Sequence, residues 1–251
     1  MQDSNFISKN ILSIAGSDPI SKSGIMADFR VGMDLSVNIF NVITSINAQN
    51  DSKIENICYL DPCIIVDQLR VVFSENKIDI VKIGMVGNID AIDIISNFFQ
   101  DKNIPIIFDP VITASNGYDL LPKNSISKIK EKLLPISYLI TPNINELEIL
   151  SEIKINDLND IKNAVKILQN FAVKNILVKG GHFQEDSDFV TSFLFENDKI
   201  TEFKNVRLDK NLRGTGCMLA TAIAIFLGRG YDLMEAVGES NRFIYNKIKE
   251  F

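Results

Sequence analysis

Short, mainly apolar runs alternate with longer stretches of helical period along almost the whole chain. Ile11–Ala15, Val42–Ile46, Ile80–Ile83, Ile104–Phe108, Tyr138–Ile140 and Ile176–Val178 have the length and composition of parallel strands buried on both faces. The segments between and after them predict helices over Gly24–Leu35, Pro62–Ser74, Asp90–Phe99, Ser125–Leu133, Ile144–Leu150, Asp157–Phe171, Gly214–Gly228 and Leu233–Lys249. Phe189–Phe195 and Lys199–Val206 flank the polar turn Glu196-Asn197-Asp198 and predict an antiparallel hairpin at one sheet edge. The alternation implies an α/β fold, a three-layer α/β/α sandwich around a central, mostly parallel sheet. No repeat, low-complexity stretch or linker interrupts it, so the expectation is a single domain over residues 1–251 with residues 1–9 frayed.

Open sheets of this kind gather ligands at the carboxyl ends of their parallel strands. Gly16, Gln49, Gly84, Asp109, Asn143 and Lys179 each follow a predicted strand end. The pattern alone therefore brings them to one rim.

The most informative junction is Leu212-Arg213-Gly214-Thr215-Gly216-Cys217, which leads into the small-residue apolar helix Met218-Leu219-Ala220-Thr221-Ala222-Ile223-Ala224. Two glycines allow a tight turn in which consecutive amides at a helix N-terminus point at one anion, and a phosphate suits that place. A cysteine closing the turn is expected to have a lowered thiol pKa and to serve as an acid/base group over the same anion. The plain alternative is a glycine turn with a buried, inert cysteine.

Composition narrows the chemistry. The chain has 251 residues and 46% hydrophobic content, enough for one sizeable core. Its net charge is −6 with both signs interspersed, which argues against nucleic-acid and anionic membrane surfaces and for a small partner. The three cysteines, Cys58, Cys63 and Cys217, form no CxxC pair and fit a reducing cytosol. Neither a signal peptide nor an apolar run of membrane length is expected. A P-loop sequence is absent, so a phosphate site must be built otherwise. His182 is the only histidine, and with no GxSxG elbow this leaves hydrolase triads and zinc sites short of groups.

Seven motifs stand in order: Ile14-Ala15-Gly16-Ser17-Asp18-Pro19, Ala48-Gln49-Asn50, Lys82-Ile83-Gly84-Met85, Asp109-Pro110-Val111, Thr141-Pro142-Asn143-Ile144-Asn145-Glu146, Val178-Lys179-Gly180-Gly181-His182 and Gly214-Thr215-Gly216-Cys217. The series, running from about residue 10 to about 249, resembles the hydroxymethylpyrimidine and phosphomethylpyrimidine kinases of thiamine biosynthesis, in the ribokinase-like superfamily. The resemblance implies an ATP- and Mg²⁺-dependent cytoplasmic homodimer that phosphorylates an aminopyrimidine alcohol and then its monophosphate. It also implies that Cys217 accepts the substrate hydroxyl's proton while the amides of Gly214, Thr215, Gly216 and Cys217 hold the transferring phosphoryl group. Asp109 and Glu146 are implied to meet Mg²⁺ and the ATP phosphates, with Asn143, Lys179 and Gly180 also on the nucleotide. Asn143 and Glu146 read equally well as the two halves of a capping box, and Lys179 as a solvated lysine.

For the acceptor, the family pocket maps onto Gly16, Asp28, Gln49, Met85 and Val111. The Gln49 carboxamide can pair with a ring nitrogen and its neighbouring amine at once, and a thioether packs well on an aromatic face. Gly16 is expected to leave room for the hydroxymethyl group near Ser17 and Asp18. The chain departs from the pattern at Ile20-Ser21-Lys22-Ser23-Gly24, where the family is glycine-rich, at Ser115, where it has a lysine, and at Arg213, where it has a histidine. Arg213 is expected to offer a fixed cation to phosphate, His182 to lie near the nucleotide, and Thr113–Asp119 to behave as a lid. The rival readings are a pyridoxal kinase and a ligand-binding relative without turnover.

Overall fold

The computed structural model describes residues 9–114, 117–122, 124–181, 183, 187–210 and 212–250. In chain order its strands are β1 (Ile11–Ser17), β2 (Ile39–Gln49), β3 (Ile54–Tyr59), β4 (Ile80–Ile83), β5 (Ile106–Phe108), β6 (Leu139–Ile140), β7 (Asn175–Val178), β8 (Phe189–Glu196) and β9 (Lys199–Val206). The helices are α1 (Gly24–Asp34), α2 (Pro62–Glu75), α3 (Ile89–Phe99), α4 (Ser125–Lys128, continued by a π-turn over Ile129–Leu133), α5 (Ile144–Ser151), α6 (Leu158–Gln169), α7 (Thr215–Gly228) and α8 (Leu233–Glu250).

The strands form one sheet in the order β3-β2-β1-β4-β5-β6-β7-β8-β9. From β2 to β7 the neighbours are parallel, while β3 and the β8–β9 hairpin run antiparallel at the two edges. Every expected strand is present, and β3 is an addition. Side chains alternate between two cores, as a strand period of two requires. Ile11, Ile80, Ile107, Leu139 and Leu177 pack with Val31 of α1, Ile223 of α7 and Val237 of α8. Leu12, Val81, Phe108, Ile140 and Val178 pack on the other face with Ile65 of α2, Ile92 of α3, Leu147 of α5 and Ile161 of α6. At roughly 1.5–3 kcal/mol per buried aliphatic side chain, these two layers hold the sandwich expected from sequence.

Helix starts are written locally. Asp61 accepts from Cys63 N–H with Pro62 in the first turn of α2, and Asn88 caps α3 through Ala91 N–H. Lys9, inside the segment expected to fray, is held 3.2 Å from Asp79. Residues 1–8, Ser115, Asn116 and His182 lie outside the described residues.

The chain leaves β1 for β2 on one side and reaches β4 on the other. That reversal opens a crevice above the carboxyl ends of β1 and β4.

Candidate functional site

The loop after β1 is organised by one carboxylate. Asp18, 1% exposed, accepts from Ile20 N–H (3.1 Å), Lys22 N–H (3.1 Å), Ser23 N–H (2.9 Å) and the Ser23 hydroxyl (2.8 Å). Burial pushes its carboxyl up, but hydrogen bonds from Gln49, Ser23 and the Ile20 amide, with the nearby Arg213 charge, hold it below its ordinary value. The loop thereby reaches the start of α7. Gly214 has φ 84°, and a Cβ there would sit 1.8 Å from the Lys22 carbonyl oxygen, so both conformation and space demand glycine.

Beyond Gly214 the Thr215, Gly216 and Cys217 amides precede the first intrahelical bond, Met218 N–H to Gly214 C=O at 3.0 Å, and no described side chain caps the helix. They form a positive helix terminus suited to an anion. Directly opposite stands a charged cluster: a Cβ on Gly216 would lie 3.1 Å from Lys179 Nζ and 4.0 Å from Asp109 Oδ2. Lys179 Nζ is 2.6 Å from Asp109 Oδ1 and 3.8 Å from Glu146 Oε2, and Thr141 Oγ1 donates to Asp109 at 3.1 Å.

The backbone explains the cluster. Asp109 follows β5, its N–H bonded to Ile83 C=O at 2.8 Å, and Lys179 follows β7, its N–H bonded to Pro142 C=O at 2.8 Å. Asn143 and Glu146 make the full capping box of α5, with Asn143 N–H to Glu146 Oε2 at 2.7 Å and Glu146 N–H to Asn143 Oδ1 at 2.9 Å. The local capping role is thus real, and it is what aims Glu146 at Lys179. Burial raises Asp109, but Lys179 and Lys82 overcome it and hold the carboxyl down. Burial, with the Asp109 charge, lifts Glu146 to about 7 against the pull of Lys179.

Cys217 differs from the sequence expectation. Burial pushes its thiol up to about 11, Asp109 and Asp28 add to the rise, and Lys82 and a hydrogen bond from Gly24 N–H oppose it. Desolvation outweighs the helix terminus, so the resting group is a neutral thiol.

On the acceptor side, Met85 and Val111 come together in a small apolar cluster with Ile54, Ile57, Leu120 and Ala114. Gly16 faces Met85 as well, but the space beside it is filled: a Cβ there would meet Ser45 Oγ at 2.6 Å, Met85 Sδ at 3.2 Å and Asn47 Nδ2 at 3.4 Å. Gln49 lies on the rim, its Nε2 3.5 Å from Ser23 Oγ and its amide bonded to Asp18. It also borders a concavity of about 270 Å³ with Pro19, Ala48, Asn50, Lys53 and Glu55.

Three expectations are corrected. Asp28 is fully buried and bonded to Ser13, Lys82 and Thr221, so it presents no surface to an acceptor. Gly180 is required by packing, because a Cβ would lie 1.7 Å from Thr191 C=O of β8, and its amide is spent on Ser192 Oγ at 3.3 Å. Arg213 donates to Asn50 C=O at 2.8 Å, so the expected phosphate cation is partly engaged by the β2–β3 connection. The described part of the Thr113–Asp119 loop is a hydrogen-bonded hairpin, Ala114 N–H to Tyr118 C=O at 2.8 Å.

Sequence reading missed Ser45 and Asn47, which join Gln49 on one face of β2, with Ser45 Oγ 3.0 Å from Asn47 Oδ1. The signal was there: polar residues at spacing two inside an apolar strand. It also missed Lys82, a lysine in a four-residue strand that is otherwise apolar.

A family model described as phosphomethylpyrimidine kinase matches residues 18–251. The thiamine biosynthesis bifunctional protein of Geobacter sulfurreducens is 34% identical over 242 residues, 96% of this chain but only 49% of that protein, so the chain spans about half of that relative's length. The hydroxymethylpyrimidine/phosphomethylpyrimidine kinase of Staphylococcus aureus is 33% identical, covering 96% of this chain and 88% of the relative. The crystal structure of phosphomethylpyrimidine kinase from Clostridium difficile superposes with a TM-score of 0.84 at 31% identity, covering 96% of this chain and 99% of that one.

Proposed function

Given that the chain belongs to the phosphomethylpyrimidine kinase family, we propose that it transfers the terminal phosphoryl group of ATP to the hydroxymethyl oxygen of 4-amino-5-hydroxymethyl-2-methylpyrimidine, and then to the resulting monophosphate, for thiamine biosynthesis. The observation that carries this reading is the close approach of the Gly214–Cys217 turn to Lys179 and Asp109, which brings main-chain donors at a helix N-terminus and an ammonium to one place. Transfer needs little beyond positioning and charge stabilisation. In the step, the alcohol oxygen bonds to the γ-phosphorus, the bond to the ADP oxygen breaks, and the alcohol's proton leaves toward the Cys217 sulfur.

Because the resting thiol is neutral, Cys217 accepts the alcohol's proton only after ionising to the thiolate, a form that Lys82 and Gly24 N–H favour. Lys179 stands where it neutralises nucleotide phosphates. Met85 and Val111 supply an apolar wall for the ring, and Gln49 exchanges its Asp18 and Ser23 partners for the aminopyrimidine edge.

Among the described residues no group of three or more His, Cys, Asp or Glu is arranged to hold a metal ion. Two buried carboxylates sharing one ammonium, Asp109 and Glu146 on Lys179, nevertheless fit Mg²⁺ carried in on phosphate oxygens, which takes one or two protein carboxylates. When bound, the ion would neutralise charge on the transferring group. We take the protein to work as a single-domain cytoplasmic homodimer. No described helix is long and apolar enough to cross a membrane, and α1 exposes Met26, Phe29 and Met33.

The test is ADP formation with ATP/Mg²⁺ and either the pyrimidine alcohol or pyridoxal. Turnover on the pyrimidine supports the reading. Turnover on pyridoxal alone transfers the assignment to that vitamin, and pyrimidine binding without ADP leaves a non-catalytic relative.

A further inference from the structure

Among the described residues one ion pair is fully buried on both sides, and only the pull of its lysine on the Cys217 thiol has entered the chemistry above. Lys82 on β4 and Asp28 on α1 are both fully buried, with Lys82 Nζ 2.7 Å from Asp28 Oδ2. Such pairs seldom stabilise a fold compared with apolar replacements, because desolvation offsets their attraction. Their location, however, is specific. Lys82 is on the α1/α7 face of the sheet, and its Nζ would be 2.9 Å from a Cβ on Gly84, so the ammonium reaches up to the carboxyl end of β4.

Asp28 links that ammonium to two further elements. Ser13 of β1 donates to Oδ2 at 2.5 Å and Thr221 of α7 to Oδ1 at 2.7 Å. The same Thr221 hydroxyl is 3.0 Å from the Cys217 carbonyl oxygen, one helical turn earlier. Gly24, at the start of the helix that carries Asp28, gives its N–H to the Cys217 sulfur. The thiol is thus approached from α1 by Gly24 N–H and Asp28, from β4 by Lys82, from the end of β5 by Asp109 and from the end of β7 by Lys179. Of these, only the Asp28–Lys82 unit is also tied to the main chain of Cys217.

We propose that Lys82, anchored by Asp28, is the positioning residue for Cys217: through Asp28 and Thr221 it registers the first turn of α7 above β1 and β4. The proposal rests on the reading of Cys217 as proton acceptor. It explains why an aspartate on an early helix and a lysine inside an apolar strand are both hidden behind the first turn of α7.

The test uses the full chain with Cys58→Ser and Cys63→Ser, so that Cys217 is the remaining thiol. Lys82→Met alone would strand the Asp28 charge, so the informative variant is Lys82→Met combined with Asp28→Asn. Asparagine keeps an oxygen for Ser13 or Thr221, and the pair is neutral. Two readouts are taken: steady-state kinetics with ATP/Mg²⁺ and the pyrimidine alcohol, and the rate of Cys217 alkylation by iodoacetamide against pH. We expect kcat to fall at least tenfold with both KM values within about twofold, and the alkylation midpoint to rise, because Lys82, which lowers the thiol, acts on it more strongly than Asp28, which raises it.

A folded double variant with kcat within threefold of the parent overturns the proposal. So does a large kcat loss with an unmoved alkylation midpoint, which marks the pair as merely structural. If the double variant does not fold, Thr221→Val keeps both charges and cuts only the link to α7; it should lower kcat severalfold at unchanged KM, and parental kcat overturns the proposal. Should the parent protein phosphorylate no alcohol, the functional reading fails, while the alkylation profile still decides the role of Lys82.

Discussion

Replacing Glu146 by Gln should stabilise the protein above neutral pH while impairing its turnover. Glu146 is 4% exposed, and its carboxyl is raised from 4.5 to about 7, by burial first and by Asp109 second, with Lys179 opposing. An acid raised on folding binds more protons in the native than in the unfolded chain between those values. Its contribution to stability is therefore complete below 4.5 and is lost as pH rises through 7. At 1.36 kcal/mol per pH unit, the ionised group costs about 3 kcal/mol at pH 8. Glutamine removes the charge and keeps a carbonyl oxygen for Asn143 N–H, now 2.7 Å from Glu146 Oε2, while giving up the 3.8 Å approach to Lys179. About 1–3 kcal/mol should be recovered, and at about 2–4 °C per kcal/mol for a chain of this size the midpoint rises by several degrees. Thermal unfolding followed by far-UV circular dichroism at pH 5 and pH 8, without nucleotide, measures this. A higher Tm for the variant at pH 8 and little difference at pH 5 is expected. An equal change at both pH values, or a lower Tm at pH 8, would refute the argument that burial of this carboxyl is tolerated for function.

Cys217→Ala should lower kcat by about 10²–10⁴-fold, the usual worth of a general base, while the acceptor's Kd by calorimetry changes little; equal, modest effects on both would reduce the thiol to packing. With the thiol near 11 and the thiolate as the active form, kcat in the wild-type protein should climb with pH from 7 to 9, close to tenfold per unit if chemistry limits, whereas a flat profile with chemistry limiting contradicts a thiolate base. Gln49→Ala should raise the acceptor's KM and leave that of ATP within twofold, and an unaltered acceptor KM would remove Gln49 from the pocket.

The sheet and its flanking helices were legible because each buried strand is a short apolar run and each helix carries its own caps, as at Asp61 and Asn88. Strand β3 was hidden because an edge strand with one face in solvent has little apolar signal: of Ile54–Tyr59, only Ile54 is buried. The carboxyl end of β2 was likewise cut short where Asn47 and Gln49 enter on the site face. On the rim, strand ends located Asp109, Asn143 and Lys179, since topology alone decides where they emerge. What pattern could not supply was burial. The thiol of Cys217 was expected to fall beside a helix terminus and instead rises, because desolvation depends on how α1 and β4 close over it. Asp28 was assigned to ligand because its helix position says nothing of the lysine that reaches it from 54 residues away. Gly180 was placed on the nucleotide, whereas the neighbour that requires a glycine there is Thr191 of β8.

We propose that main-chain amides of the Gly214–Cys217 turn hold the migrating phosphoryl group while Cys217 faces the accepting oxygen. A crystal structure with a non-hydrolysable ATP analogue and the pyrimidine alcohol tests it most directly. Turn amides are expected about 2.7–3.1 Å from γ-phosphate oxygens, with the Cys217 sulfur within hydrogen-bonding reach of the hydroxymethyl oxygen. A γ-phosphate bound away from that turn, or an acceptor oxygen facing some other base, would contradict it.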